Sequence, residues 1–194
     1  METSIFKTPT SGPVFAGLSN LAGDEQADLS VHGGRDKAIY VYSKNYYAEW
    51  QAALARPVLE AAQFGENLTV NGCRDEDVLI GARYRVGDAV CTVTQPRVPC
   101  FKLGLRIGDD SVPARFWQRG QLGFYLRVEH EGDIRVGDAL VCAHRPSHGI
   151  SVRHLWEAVT QKKREDAHRA LRELQHLDLG WRQRLRAIVA AGAN

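Results

Sequence analysis

The sequence lacks any run of apolar residues long enough to cross a membrane, since a spanning helix needs about 18 to 20 of them. Its first residues, METSIFKTPTSGP, lack the basic and apolar segments of a secretory signal. These two absences predict a cytoplasmic protein without membrane contact. The chain also lacks an excess of charge of one sign, since it has 25 Lys and Arg and 23 Asp and Glu. The net charge therefore does not indicate any class of binding partner.

Cysteine is scarce, and its spacing is not that of a metal site. The four cysteines are Cys73, Cys91, Cys100 and Cys142, and they form neither a C-x-x-C pair nor the pattern of a zinc site. The sequence therefore predicts neither a disulfide framework nor a structural zinc ion. Cys91 and Cys142 lie in apolar β-like runs and are predicted to be buried in the core, whereas Cys73 is predicted to lie in a turn.

Short β-like runs separated by glycine-rich turns fill the first three quarters of the chain, for example KAIYVYS and GFYLRVEH. Many short strands in succession predict a mainly β fold, either a barrel or a sandwich. Two helical segments interrupt them. The first is SKNYYAEWQAAL, with Ser43 as its N-cap, and the second is PARFWQR, with Pro113 at its first position.

The sequence RVGDA occurs twice, fifty residues apart, and each copy leads into an apolar run. We interpret the two copies as equivalent corners of the β structure, since two are too few for a solenoid. The pattern predicts turn conformations for Gly87 and Gly137 that other residues avoid. Asp88 and Asp138 are predicted to bond to the turn backbone.

From Ser151 onward the apolar residues recur with a helical period, which predicts a three-helix unit at residues 151–194. This tail holds nine Lys and Arg against five Asp and Glu, a net charge of +4. Because acids are interspersed among the basic residues, the pattern favours a solvated surface over a nucleic-acid site. Trp156 and Trp181 are predicted to pack against the β domain or against a second subunit of a homodimer.

The stretch VTQPRVPCFKL is the first candidate for chemistry. Pro96 and Pro99 cannot donate ladder hydrogen bonds, so the strand is predicted to end, bulge or lie at an edge there. Cys100 is then expected on a loop of restricted flexibility between Arg97 and Lys102. Cations near a thiol favour the thiolate, which attacks electrophiles or binds soft metals. The spacing leaves one alternative open, a buried structural cysteine.

A second candidate is the segment that contains His32, Gly33, Gly34, Arg35 and Lys37. Paired glycines let backbone N–H groups approach an anion while nearby cations neutralise it, which predicts a phosphate or pterin pocket. A plain turn with a structural histidine is the alternative.

A third candidate is FGENLTV, in which Glu66 and Asn67 follow a glycine and precede a β-like run. This arrangement suits side chains at the mouth of a cavity. It equally suits a turn in which Asn67 bonds to its own backbone.

Taken in this order, these stretches resemble a MOSC domain of the YiiM type, a domain first described at the C-terminus of molybdenum cofactor sulfurases. The resemblance covers nearly the whole chain, and QPRVPCFKL is its most specific part. It implies a mainly β fold, with a barrel-like MOSC domain at residues 1–150 and a three-helix (three-α) domain at residues 151–194.

The resemblance also assigns roles to individual residues. Cys100 is the position that the family uses as a sulfur carrier or as the thiolate ligand of molybdenum, so it is the predicted catalytic and metal-binding residue. The residues predicted to bind the molybdenum cofactor (molybdopterin) are His32, Gly33, Gly34, Arg35, Lys37, Asn67, Arg97 and Lys102. This chain has Gln121 where the family pattern has a basic residue, so the resemblance supports no anion contact at that position.

Relatives of the YiiM type are associated with reducing N-hydroxylated compounds such as 6-N-hydroxylaminopurine, which detoxifies base analogues. The resemblance therefore implies a molybdenum-dependent oxidoreductase. Because the sequence shows no flavin or iron–sulfur motif, an external flavin-containing reductase is the expected electron donor. One alternative is a sulfur carrier that uses a persulfide on Cys100. Another is a nucleic-acid or partner-binding module formed by the basic tail.

Overall fold

The structure is a computed structural model that describes residues 4–24 and 34–191. Within these ranges the chain forms eight β-strands, six α-helices and two 3₁₀ turns. The strands are β1 (Val14–Ala16), β2 (Ile39–Ser43), β3 (Leu68–Val70), β4 (Arg83–Val86), β5 (Ala89–Pro96), β6 (Phe124–His130), β7 (Gly132–Ile134) and β8 (Val141–His144). The helices are α1 (Tyr47–Ala53), α2 (Phe101–Ile107), α3 (Val112–Arg119), α4 (Val152–Thr160), α5 (Arg164–Glu173) and α6 (Leu179–Ala190), and the 3₁₀ turns are Arg35–Lys37 and Lys44–Tyr46.

Six of the described strands form one curled sheet in the order β3-β2-β6-β5-β4-β8. Neighbouring strands in this sheet are antiparallel except β2 and β3, which are parallel. The strands β1 and β7 pair separately. The prediction of a mainly β, barrel-like fold followed by a three-helix unit is therefore confirmed. No helix among the described residues is both long and apolar enough to span a membrane.

The sheet buries side chains on both of its faces. Successive residues of a strand point to opposite faces, so Ile39 and Val41 of β2 join the main core while Tyr40 and Tyr42 face a second cluster. This second cluster packs the aromatic side chains of α1 and α3 onto the sheet. An aromatic side chain buries about 150 to 250 Å² and contributes several kcal/mol of hydrophobic stabilisation, so the cluster fixes both helices to the sheet.

The tail packs against the β structure. Ser151 caps α4 by accepting a hydrogen bond from the His154 N–H at 3.0 Å, as the sequence predicts. Trp156 and Trp181 are buried and belong to the same hydrophobic core as the strands, which confirms their predicted packing on the β domain. Arg153 donates to the Arg119 carbonyl at 2.8 Å, so part of the basic charge holds the tail in place.

One local prediction is confirmed and another is wrong. Cys100 lies at the end of the loop 97–100, as expected, and is the N-cap of α2, whose buried side consists of Leu103, Gly104 and Ile107. The sequence did not predict this helix, because a glycine in the middle of the seven-residue segment weakens the helical signal. A Cβ at Gly104 would lie 3.2 Å from the Asp109 carbonyl oxygen, a tight contact that favours glycine there. Cys142 was expected in the core, yet it is exposed because β8 is an edge strand of the sheet.

The two RVGDA corners differ in how closely the chain packs around them. Gly87 (φ 55°) and Gly137 (φ 98°) both have the positive φ that the sequence predicts. The Asp138 carboxylate accepts the Arg135 N–H at 2.7 Å, as expected, whereas Asp88 uses its own N–H to reach the Asp133 carbonyl at 3.0 Å. The second corner lies against the first, and only the first is crowded.

Alanine at these two glycines is expected to have unequal effects. A Cβ at Gly87 would lie 2.3 Å from the Asp133 carbonyl oxygen, whereas a Cβ at Gly137 would meet open space. We expect Gly87→Ala to lower the free energy of unfolding by about 3 kcal/mol or more and Gly137→Ala by about 1 kcal/mol. Urea denaturation measures both values, and equal losses would contradict the close packing at Gly87.

Candidate functional site

The candidate site begins where β5 ends. The strand pairs with β6 as far as Pro96, opposite Phe124, and the Arg97 N–H then donates to the Gly123 carbonyl at 3.2 Å. Pro96 has no N–H to continue the ladder, so the chain leaves the sheet as predicted. Three residues further on, Cys100 is half-buried in extended conformation at the start of α2.

Arg97, three residues before Cys100, is a buried cation with only 6% of its surface exposed. One guanidinium nitrogen donates to the Phe64 carbonyl at 2.6 Å, and the guanidinium lies 4.5 Å from the centre of the Tyr40 ring. Burial acts to lower the pKa of Arg97, but Tyr40, Tyr125 and Cys100 raise it above its usual value. The site therefore holds a permanent positive charge within electrostatic reach of the Cys100 thiol.

Two tyrosines flank this charge. The rings of Tyr40 and Tyr125 lie 5.4 Å apart, and the Tyr40 hydroxyl donates to the Leu122 carbonyl at 2.8 Å. Burial raises the pKa of both phenols, against the opposing effect of Arg97. Both are therefore protonated at neutral pH. The sequence analysis missed them because alternating tyrosines in strands are most often core residues.

The FGENLTV segment directs its polar side chains inward. Glu66 is 1% exposed and accepts hydrogen bonds from the Phe64 N–H, from Thr69 and from the Tyr47 hydroxyl. The Asn67 side-chain oxygen accepts the Tyr40 N–H at 2.9 Å, so Asn67 bonds to the backbone of β2 and not to its own turn. The segment therefore holds Tyr40, and with it the stacking surface of Arg97.

Asn67 also lines a cavity of about 1360 Å³ between the N-terminal segment, residues 61–70 and the second RVGDA corner. Its side-chain N–H donates to Asp24 at 2.6 Å, and Asp24 forms an ion pair with Lys7. Burial lowers the pKa of Lys7, although Asp24 opposes this shift. No local pattern points to Lys7 and Asp24, because their partner Asn67 lies 43 or more positions away in the sequence.

The glycine-rich segment lies at a different place. Gly34, Arg35 and Lys37 line a polar cleft of about 610 Å³ together with Arg127 and with Asp178 of the tail. His32 and Gly33 lie outside the described residues. Of the other predicted site residues, the structure joins Arg97 and Asn67 through Tyr40, brings Cys100 near Arg97, and leaves Lys102 half-buried in the first turn of α2.

Gln121 occupies the position where the family pattern has a basic residue, and its side chain is bound within the protein. Gln121 is 8% exposed, and its side-chain N–H donates to Glu49 at 2.6 Å, so that donor is already engaged by a carboxylate.

The next two N–H groups, those of Leu122 and Gly123, donate to the buried carboxylate of Asp75 at 2.8 and 3.1 Å. Burial raises the pKa of Asp75 to about 7, although these bonds oppose the shift.

Alanine at Asn67 is expected to destabilise the protein whether or not a ligand is present. The Tyr40 N–H and the Asp24 carboxylate would each lose a partner, and an unpaired buried donor costs about 1 to 3 kcal/mol. We expect the free energy of unfolding to fall by about 2 kcal/mol. Asn45→Ala is the matched control, because Asn45 is exposed and bonds to the Gly72 N–H at 2.8 Å. If urea denaturation shows equal losses of unfolding free energy in the two variants, Asn67 does not stabilise β2 through its bond to Tyr40.

Comparison with known families and proteins gives consistent matches. A model of the MOSC domain family matches residues 28–141, which is more than half of the chain. "Uncharacterized protein YflK" of Bacillus subtilis is 45% identical over 152 residues, covering 78% of this chain and 68% of that protein. "Protein YiiM" of Escherichia coli is 31% identical over 147 residues, or 75% of this chain and 66% of that protein. A protein of Gibberella moniliformis named "Reductase" is 37% identical over 149 residues, but the match spans only 26% of its length.

Solved structures show the same relationship. The crystal structure of YiiM from Geobacillus stearothermophilus superposes with a TM-score of 0.82 at 32% identity, covering 97% of this chain and 90% of that one. The crystal structure of YiiM from Escherichia coli gives a TM-score of 0.81 at 23% identity, covering 96% and 90%, and at that identity it supports the fold alone. Both superpositions cover nearly the whole chain and therefore extend over the helical tail.

Proposed function

Because this chain belongs to the MOSC domain family, in its YiiM-type form, we propose that it binds a molybdenum cofactor and reduces N-hydroxylated compounds. The substrates are compounds such as 6-N-hydroxylaminopurine, and their reduction detoxifies base analogues. The observation that carries the proposal is the position of Cys100, half-exposed past the end of β5 and within electrostatic reach of the buried charge of Arg97.

Cys100 is the proposed ligand of the metal. Thiolate is a soft donor that suits molybdenum, whose other ligands would come from the pterin, so the chain needs to supply a single sulfur atom. Among the described residues, no three His, Cys, Asp or Glu side chains are grouped so as to hold a metal ion by themselves. A single thiolate from the chain fits an organic cofactor that brings its own metal ligands. When bound, the cofactor supplies the two-electron redox chemistry.

The cations have different tasks in this proposal. Arg97, fixed by the Phe64 carbonyl and the Tyr40 ring, offsets the negative charge of the thiolate and the cofactor. Lys102 and the segment His32, Gly33, Gly34, Arg35 and Lys37 are proposed to bind the cofactor phosphate. Gly34 supports this assignment, because its φ of 94° is one that L side chains rarely adopt and a Cβ there would meet open space.

Reduction of an N–OH group to an amine and water consumes two electrons and two protons. Tyr125 is proposed to hold one of these protons on its hydroxyl, and solvent supplies the other. Its raised pKa keeps it protonated, and Cys100 is close enough to influence that pKa. The electrons are proposed to come from an external flavin-containing reductase.

Metal and pterin analysis of freshly isolated protein tests the proposal. Protein from a host that makes the cofactor is expected to carry molybdenum and pterin fluorescence. With NADH and a flavin-containing reductase, it is expected to convert 6-N-hydroxylaminopurine into adenine. Protein that contains neither molybdenum nor pterin would refute the proposal.

A sulfur carrier is the second candidate, because the half-exposed thiol of Cys100 is open to a sulfur donor. Mass spectrometry after incubation with a cysteine desulfurase and cysteine distinguishes the two. An added sulfur atom on Cys100 in protein that never acquires molybdenum would favour the carrier.

A further inference from the structure

The first turn of α6 contacts two of the three segments of the β domain that were predicted to carry the chemistry. The indole N–H of Trp181 donates to the carbonyl of Pro96, the last residue of β5, at 3.0 Å. A few residues earlier in the tail, the Asp178 carboxylate lies 3.9 Å from the Lys37 ammonium group. One turn of the tail thus reaches the strand end before Cys100 and the turn that carries Lys37.

The contact with Pro96 controls the orientation of one peptide unit. Its carbonyl oxygen accepts the Trp181 indole N–H, and its N–H, which belongs to Arg97, donates to the Gly123 carbonyl at 3.2 Å. Hydrogen bonds at both ends of a planar peptide unit restrain its rotation. Because this unit is the point where the chain leaves the sheet, its orientation sets the direction of the segment that leads to Cys100.

Trp181 is itself held rigidly. It is 1% exposed, and its ring lies 6.0 Å from that of Trp117 on α3. Asp178 caps the helix, and one carboxylate oxygen accepts the N–H groups of Gly180 at 2.9 Å and Trp181 at 3.4 Å. The donor therefore approaches Pro96 from a fixed direction, and the buried Pro96 carbonyl would lose a partner without it.

We propose that Trp181 is a positioning residue for Cys100, so that the three-helix tail completes the candidate site from outside the β domain. The inference rests on the proposed role of Cys100. It assigns the tail a task within that site instead of a separate nucleic-acid function. Loss of the indole N–H frees the Pro96 peptide and lets the segment that carries Cys100 move out toward solvent.

The rate at which iodoacetamide alkylates Cys100 tests this proposal on protein without cofactor. The background is Cys73→Ser with Cys142→Ser, which removes the half-buried and the exposed thiol and leaves the fully buried Cys91. In this background Trp181→Phe keeps an aromatic ring but removes the N–H donor. We expect alkylation to become about fivefold faster, which corresponds to the loss of one typical hydrogen bond.

Trp156→Phe is the matched control, because the Trp156 indole N–H donates to the Trp117 carbonyl at 2.9 Å and not to Pro96. We expect this variant to lose similar stability while its alkylation rate stays within about twofold of the parent. Equal rates in the two variants, or an unchanged rate in Trp181→Phe, would overturn the proposal. Because no cofactor enters the assay, its result is independent of whether the reductase function holds.

If Trp181→Phe fails to fold, Asp178→Ala provides the test. This change removes the cap that presents Trp181 and is expected to raise the Cys100 alkylation rate about twofold to fivefold. Asp166→Ala is its control, since Asp166 pairs with His154 inside the tail at 3.3 Å. An unchanged rate in Asp178→Ala would refute the positioning role.

Discussion

Cys100→Ser is expected to carry almost no molybdenum and to reduce 6-N-hydroxylaminopurine at least about a hundredfold more slowly than the parent protein. Changes in residues that merely orient a metal ligand cost 10- to 100-fold, so loss of the protein's only proposed ligand has a larger effect. A hydroxyl is a harder and much less acidic donor than a thiol and does not replace it for molybdenum. Metal analysis, pterin fluorescence and a reductase assay measure the three quantities together.

The fold is expected to survive this change. Cys100 is the N-cap of α2 without a side-chain capping bond, and serine is a preferred N-cap residue, so Cys100→Ser leaves the free energy of unfolding unchanged or slightly higher. Cys142→Ser is the matched control, because Cys142 is exposed on β8, and it is expected to retain metal and activity. Full metal content and activity in Cys100→Ser would contradict the proposed role of Cys100.

Asp75 is expected to give the protein a distinct dependence of stability on pH. Burial raises its pKa from 3.8 to about 7, so the folded state binds a proton that the unfolded state has already released in this range. A raised pKa in the folded state means that the contribution is complete below about pH 4 and is lost as the pH rises through 7. The loss amounts to roughly 2 to 4 kcal/mol.

Comparison with Asp75→Asn isolates this contribution. The asparagine oxygen keeps the acceptor for the Leu122 and Gly123 N–H groups but does not titrate. The free energy of unfolding of the parent protein, minus that of Asp75→Asn, is expected to fall between pH 4 and pH 7. Asp77→Asn, at an exposed position two residues along, is the control and is expected to show no such trend. A constant difference for Asp75→Asn would mean that Asp75 is ionised throughout this range.

Elements with local signals could be predicted from the sequence alone. The period-two and helical patterns located the strands β2, β5 and β6 and the three tail helices, and Ser151 marked the start of α4. These signals are local because side chains return to the same face every two residues in a strand and every three to four residues in a helix. The helix after Cys100 escaped prediction because Gly104 serves its packing and at the same time weakens its helical signal.

Predictions that depended on position in the sheet were less successful. Cys91 and Cys142 have similar apolar neighbours in the sequence, yet Cys91 is fully buried on the interior strand β5 and Cys142 is exposed on the edge strand β8. Strand order is decided by pairing between distant segments, and no local pattern records it.

The sequence by itself determined the barrel-like class, the tail and the identity of the thiol segment, because prolines, glycines and hydrophobic periods act over a few residues. Only the tertiary structure decided that Arg97 is buried against Tyr40, that Asn67 hydrogen-bonds to the backbone of β2, and that Trp181 donates to the Pro96 carbonyl 85 positions away. The physical reason is that a buried charge or carbonyl must find its partners wherever the fold provides them. Those partners come from segments whose proximity exists only after the chain has folded.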